Sequence, residues 1–133
     1  MIAFFDTSIH IDLLTGVISL DVVTRDVGNM PIRLSPVVAS ELLRGISRTG
    51  RNLAERLVSQ LVSIEPPSWR QCWYEAGRLL PRIFPDHEEV GLSRLQNDLL
   101  LALTARHTGA LFVTTDGHFD TIRHHLPFRL RKL

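Results

Sequence analysis

The sequence has a single lysine, a single cysteine and no long apolar run. Because Lys132 is the only lysine beside 14 arginines, activities that need a catalytic lysine have almost no candidate. Cys72 alone excludes an internal disulfide and a cysteine-based zinc site, and it suits a reducing compartment. The apolar residues 2–5 are followed at once by Asp6, so we expect neither a signal peptide nor a membrane anchor. A cytoplasmic protein is the simplest interpretation.

An excess of charge of one sign is also missing. The 15 basic and 14 acidic side chains leave a net charge of +1, so any contact with a polyanion must come from local clustering. The motifs HExxH, GxxxxGK, GxSxG and GxGxxG are absent. A chain of 133 residues, 44% of them hydrophobic, buries one core, so residues 1–133 are predicted to form a single domain.

Short apolar runs alternate with longer segments of helical period, which predicts an α/β fold with a parallel sheet. Strands are predicted at 2–5, 32–34 and 110–114, with an edge strand near 128–130. Helices are predicted at 7–14, 20–26 and 52–61, from Pro36 onward, from Trp69 to a limit at Pro81, from Ser93 to about His107, and briefly after Gly117. Gly16 and Gly109 are predicted helix ends, and Ser35, Ser68 and Ser93 are predicted N-caps.

Two aspartates directly follow the two clearest strands. Asp6 follows residues 2–5 and Asp116 follows residues 111–115. Ligands of open parallel sheets bind beyond the carboxyl ends of the strands, so both side chains are candidates for a site. For either residue taken singly, the alternative is an N-cap of the next helix.

Asp98 lies on a helix that is apolar almost all round. Projected at about 100° per residue, it falls between Leu95, Ala102 and Ala105 on the face that should be buried. A carboxylate there is costly unless it meets a cation or hydrogen-bond donors. The alternative is a partly exposed first-turn carboxylate, favoured by the helix dipole.

Glu41 lies at the margin of its helix's apolar stripe, where a solvated ion pair with Arg44 is the alternative to a site role.

If Asp6, Asp98 and Asp116 converge, their carboxylates repel until their pKa values rise or a divalent cation neutralises them. Oxygen ligands select Mg²⁺ first and Mn²⁺ next. Such ions activate water and stabilise the leaving oxygen in phosphodiester cleavage.

Four motifs occur in order along nearly the whole chain: FFDTS at 4–8, SELLRG at 40–45, NDLLLALTA at 97–105 and LFVTTDGHF at 111–119. Together they resemble PIN-domain ribonucleases of the VapC toxin type. The resemblance implies an α/β/α sandwich, an RNA substrate, an antitoxin partner that blocks the site, and a homodimer. It also implies that Asp6, Glu41, Asp98 and Asp116 form the acidic set around Mg²⁺ or Mn²⁺.

Two further residues match the family. Ser8 and Thr114 stand where it has a small polar residue and a threonine, which would orient water or a carboxylate; helix capping and strand-end hydrogen bonding are the alternatives. His118 stands in place of a frequent acid, so the contribution of that position is open, and Asp120 cannot be assumed to replace it.

Basic residues offer two candidate RNA contacts. Arg44, Arg48 and Arg51 share a face beside Glu41 if that helix runs on, which would place guanidinium groups near a phosphate; a solvated face is the alternative. The basic tail, residues 123–132, is predicted either to contact the RNA backbone or to act as a solubilising segment.

The leading functional hypothesis is a metal-dependent endoribonuclease that acts as the toxin of a toxin–antitoxin pair. A non-catalytic RNA-binding or scaffold PIN domain is disfavoured because all four acids are present, and cation-dependent cleavage separates the two. A phosphoryl-transfer domain is disfavoured because it needs a lysine near the site and a second acid at the position of Ser8.

Overall fold

The computed structural model of the chain describes residues 1–45, 50–86 and 91–133. Within these ranges, four strands and seven helices follow one another. The strands are β1 (Ala3–Phe5), β2 (Ile32–Arg33), β3 (Leu111–Thr114) and β4 (Arg129–Lys132). The helices are α1 (Thr7–Thr15), α2 (Leu20–Val27), α3 (Pro36–Gly45), α4 (Arg51–Gln60), α5 (Trp69–Ile83), α6 (Leu92–Thr108) and α7 (His118–His125). None of the helices in these ranges has the length and apolar character needed to cross a membrane.

All four strands are parallel, in the order β2-β1-β3-β4, as the alternating pattern predicted. β1 and β3 are the central pair, and Phe5 lies opposite Val113. The chain therefore leaves β1 at Asp6 beside the point where it leaves β3, and the carboxyl ends of the two central strands meet at one edge of the sheet.

Side chains of the central strands alternate between two apolar cores. Phe4 and Phe112 pack with residues of α3, α5, α6 and α7, and their rings lie 4.9 Å apart. Phe5 enters the second core, which Ile9 of α1 and Val23 of α2 complete. Helices thus cover both faces of the sheet, which confirms the predicted α/β/α sandwich.

Most helix boundaries follow their local signals. α1 and α6 end at Gly16 and Gly109, whose φ values of 79° and 74° are left-handed and favour glycine. The Ser68 hydroxyl caps α5 by accepting a hydrogen bond from the Gln71 N–H. Ser35 likewise accepts from the Val37 N–H at the start of α3. The helix boundaries predicted at these signals lie within one or two positions of the observed boundaries.

Two local predictions were wrong. α5 passes through Pro81 to Ile83, because a proline near the helix end removes only one donor while the buried Leu80 and Ile83 keep the last turn packed. Ser93 does not cap α6, which begins at Leu92 after Gly91, at a φ of 111°. The edge strand predicted near 128–130 is present and covers residues 129–132, because it pairs along the whole of β3.

Candidate active site

The four acidic side chains that the sequence singled out line one cleft of about 420 Å³. Asp6 follows β1, Glu41 lies on α3, Asp98 lies on α6, and Asp116 comes just after β3. The rest of the lining consists of Thr7, Ser8, Arg94 and Thr115. The predicted convergence of the acids at the carboxyl edge of the sheet is therefore what the structure shows.

Asp6 caps α1 and also lines the cleft. Its Oδ1 accepts a 2.8 Å hydrogen bond from the Thr7 N–H, which caps α1. Its Oδ2 accepts a 2.7 Å hydrogen bond from the hydroxyl of Thr114. Burial, with the charge of Asp116, raises the pKa of Asp6 although these two hydrogen bonds act to lower it. The hydrogen bond that caps α1 thus also holds the Asp6 carboxylate inside the cleft.

Asp98 lies in the second turn of α6 and is only 8% exposed, so the partly exposed first-turn alternative is wrong. Its Oδ2 is buried and has no hydrogen-bond partner among the described residues. Burial, followed by the charges of Asp6 and Asp116, raises the pKa of Asp98 to about 8. The side chain is costly in this position without a cation.

Glu41 faces the cleft rather than forming the surface ion pair considered for it. Its Oε1 accepts a 3.1 Å hydrogen bond from the Thr7 hydroxyl. In residues 1–45, 50–86 and 91–133 no ion pair joins it to Arg44. Burial raises its pKa, and the charge of Asp6 acts in the same direction.

Asp116 has a cationic partner within the cleft, Arg94. Arg94 donates to its Oδ2 over 3.0 Å, and the backbone N–H of His118 donates to its Oδ1 over 2.9 Å. Desolvation acts to raise the pKa of Asp116, but these two hydrogen bonds and the charges of His118 and Arg94 lower it, and the net effect is a lowered pKa. Our interpretation of the sequence missed Arg94, although its position four residues before Asp98 puts both on one helical face.

The two supporting residues lie beside the acids. The Thr114 hydroxyl, besides donating to Asp6, accepts a 3.0 Å hydrogen bond from the Asp116 N–H and so bridges two of the acids. The hydroxyl of Ser8 shares a 3.2 Å hydrogen bond with that of Thr115. Asp120 does not line the cleft and pairs with Lys132 over 2.7 Å.

Of the three arginines predicted to share one face, Arg44 and Arg51 lie on separate helices. Arg44 lines an adjoining groove with Trp69 and Trp73. Arg48 lies outside the described residues. Arg51 is the first residue of α4, and Gly50 before it lies in a turn, so the prediction of one helix running on through Arg51 is wrong.

Ion pairs hold the basic tail against neighbouring elements. Arg131 forms two hydrogen bonds to Asp26 of α2, of 3.0 and 2.8 Å. Lys132 is bound by Asp120. Arg131 and Lys132 are thus already paired with acids of the same chain, which leaves fewer free cations for the RNA backbone. Contact of the tail with RNA stays a prediction.

The donor set suits a divalent cation. The unpartnered Asp98 Oδ2 is the orphaned atom that such an ion would satisfy. Single ligand atoms of Asp98, Asp116 and His118 all lie within 4.8 Å of one another. Carboxylate oxygens are ligands of hard ions such as Mg²⁺ and Mn²⁺. The residues present therefore fit an ion at this position.

Comparison with protein families agrees with this geometry. The PIN domain family model matches residues 3–124. The chain belongs to the PIN domain family. No curated protein matches it.

Two solved structures show the same fold. A chain in the crystal structure of VapBC2 from Rickettsia felis, bound to a DNA fragment from their promoter, aligns with a TM-score of 0.68 and 21% identity, covering 100% of this chain and 99% of that one. A chain of VapBC-1 from nontypeable Haemophilus influenzae aligns with a TM-score of 0.65 and 16% identity, covering 99% and 98%. At these identities the likeness concerns the fold alone.

Proposed function

We propose that this protein is a metal-dependent endoribonuclease and acts as the toxin of a toxin–antitoxin pair. The observation that carries the proposal is the buried, unpartnered Asp98 Oδ2 in a cleft lined by three further carboxylates. Membership of the PIN domain family supports nuclease activity. The fold shared with chains of two VapBC structures supports the toxin role.

Asp6, Glu41, Asp98 and Asp116 would hold the ion, which we take to be Mg²⁺ or Mn²⁺. A bound ion supplies an activated water and stabilises the charge on the leaving oxygen in phosphodiester hydrolysis. The chain's own contribution is to position the ligands. The hydroxyl of Thr114 fixes Asp6.

RNA binding would use the cations beside the cleft. Arg94 lines the cleft with a side chain that is 62% exposed, so its guanidinium can reach a backbone phosphate. Arg44 lies on the adjoining groove and would contact the strand beyond the scissile bond. These contacts position RNA without reading its sequence.

Protein partners of two kinds complete the proposal, a cognate antitoxin and a second copy of the chain. The VapBC neighbours support the antitoxin. Trp73 and Tyr74 of α5 are 46% and 55% exposed, and aromatic side chains of this kind are enriched in protein interfaces. The cytoplasm, where RNA and a reducing environment are both present, is the proposed compartment.

The test is cleavage of a labelled RNA by purified protein with Mg²⁺, with Mn²⁺ and with excess EDTA. We expect cleavage only with a divalent ion, and loss of most activity in Asp6→Asn. The control is Asp21→Asn, an exposed first-turn carboxylate of α2, which should leave cleavage unchanged. Undiminished cleavage in EDTA would contradict the proposal, and metal-independent RNA binding without cleavage would favour a non-catalytic RNA-binding domain.

A further inference from the structure

A histidine faces the most deeply buried acid of the cleft. His118 is the first residue of α7, and its Nδ1 lies 3.9 Å from Asp98 Oδ2. Both atoms are buried, and neither has a hydrogen-bond partner in the part of the chain that the structure describes. A separation of 3.9 Å is too long for a hydrogen bond between them. Two polar atoms therefore face each other without a direct bond.

The separation suits two ligands of one ion. Ligand atoms that each lie about 2.1 Å from an ion are roughly 3.0–4.2 Å apart when they subtend 90–180° at it. The 3.9 Å between Asp98 Oδ2 and His118 Nδ1 lies within that range. A carboxylate oxygen of Asp116 completes a trio whose atoms are all within 4.8 Å of one another.

The position of His118 is fixed from two sides. Its backbone N–H donates to Asp116 Oδ1 over 2.9 Å, which ties the start of α7 to the acid cluster. Its ring lies 6.0 Å from the ring of Phe84 between centroids. The side chain is 36% exposed as a whole, but its Nδ1 is buried and lies near the acids. The imidazole is thus held with a nitrogen near the proposed ion.

We propose that His118 Nδ1 is a metal ligand, and that it makes this cleft prefer Mn²⁺ to Mg²⁺. The inference rests on the proposed function, because it concerns the same ion. Mg²⁺ takes oxygen ligands almost exclusively, whereas imidazole nitrogen binds first-row transition metals. A nitrogen among the carboxylates therefore strengthens Mn²⁺ binding more than Mg²⁺ binding. An all-oxygen set, which the sequence predicted, would put Mg²⁺ first.

The experiment measures Mn²⁺ and Mg²⁺ binding to the full chain by calorimetry, in wild type, His118→Asp and His118→Phe. We expect wild type to bind Mn²⁺ the more tightly. Replacement of the nitrogen by oxygen in His118→Asp should lower the Mn²⁺/Mg²⁺ affinity ratio on the order of tenfold. His118→Phe keeps a ring beside Phe84 and should weaken Mn²⁺ alone. The matched control is His124→Phe, an exposed position of the same helix, which should change neither affinity.

Pulsed electron paramagnetic resonance of the Mn²⁺-loaded wild type gives a readout that needs no variant. A ligating imidazole produces ¹⁴N modulation, which should persist in His124→Phe and disappear in His118→Phe. Binding of both ions without ¹⁴N modulation, and with an unchanged ratio in His118→Asp, would overturn the inference and leave the proposed function intact. Absence of any binding by wild type would overturn both.

Discussion

The side chains of Thr114 and Asp6 are joined by a 2.7 Å hydrogen bond between residues 108 positions apart in sequence. The donor is the last residue of β3, and the acceptor is the first residue after β1. The same hydroxyl accepts the N–H of Asp116. One fully buried threonine therefore positions acids from both central strands.

Thr114→Val should impair turnover more than RNA binding. The substitution keeps the shape but removes a donor to Asp6 and an acceptor for the Asp116 N–H, at a cost of about 1–3 kcal/mol in stability. We expect kcat to fall with little change in KM, and Thr114→Ser to restore most of it. Steady-state kinetics and thermal unfolding measure both effects. A wild-type kcat in Thr114→Val would show that Thr114 does not position the acids for the reaction.

Asp98→Asn should raise the melting temperature of the metal-free protein or leave it unchanged. The neutral side chain no longer repels Asp6 and Asp116, which contribute to the raised pKa of Asp98. The gain in stability on adding Mg²⁺, about 2.7 kcal/mol at 100 times Kd for an intact site, should be lost. Asp21→Asn, outside the cleft, should keep that gain. Strong destabilisation of the metal-free variant would instead indicate a purely structural role.

The convergence of Asp6, Asp98 and Asp116 was predictable because the sequence pattern determines where each of these three residues lies. A residue just after a parallel strand must lie at the carboxyl edge of the sheet, as Asp6 and Asp116 do. The nine buried residues of α6 leave no solvent face near Asp98, so helical periodicity already placed its carboxylate inside.

The partners of these acids were not predictable in the same way. The bond from Thr7 to Glu41 and the approach of His118 to Asp98 depend on how α1, α3, α6 and α7 pack, which sequence spacing does not specify. Arg131 similarly meets Asp26 over 105 positions. Local signals failed at Ser93, because Gly91 can adopt a positive φ and begin α6 before the serine.

Arg94→Gln should tighten metal binding. The guanidinium is a competing cation, paired with Asp116 at 3.0 Å, and an incoming ion must displace it or bind beside it. Because exposed pairs are worth under about 1 kcal/mol, the expected gain in affinity is at most about fivefold. Calorimetric titration with Mn²⁺ measures it, and Arg44→Gln, outside the cleft, should show no gain. Weaker metal binding in Arg94→Gln would show that the guanidinium assists the ion.

His10 should make the fold sensitive to acid. It is buried on α1, 5.4 Å from the ring of Phe5, and burial lowers its pKa from 6.5 to about 4. The unfolded chain takes up the proton first, so this contribution to stability is full above pH 6.5 and is lost as pH falls toward 4. The loss is roughly 3 kcal/mol.

The measurement for His10 is the free energy of unfolding by denaturant between pH 7 and 4. His10→Gln removes this titrating group, so the free energy of unfolding of wild type should fall relative to that of the variant as pH is lowered from 7 to 4. His124→Gln, which removes an exposed imidazole of α7, should keep the wild-type slope. Equal slopes of the unfolding free energy against pH in His10→Gln and wild type would contradict the proposed contribution of His10.

Glu41→Gln and Arg44→Gln should separate chemistry from RNA binding, although the two residues lie one turn apart on α3. Glu41 faces the acid cleft and accepts the Thr7 hydroxyl, so its loss should lower single-turnover cleavage and spare RNA affinity. Arg44 faces the adjoining groove, so its loss should weaken RNA binding and reduce its salt dependence because fewer counterions are released. Cleavage at saturating RNA should fall much less in Arg44→Gln. Wild-type single-turnover cleavage by Glu41→Gln would remove Glu41 from the reaction and leave Asp6, Asp98 and Asp116 as the acidic set.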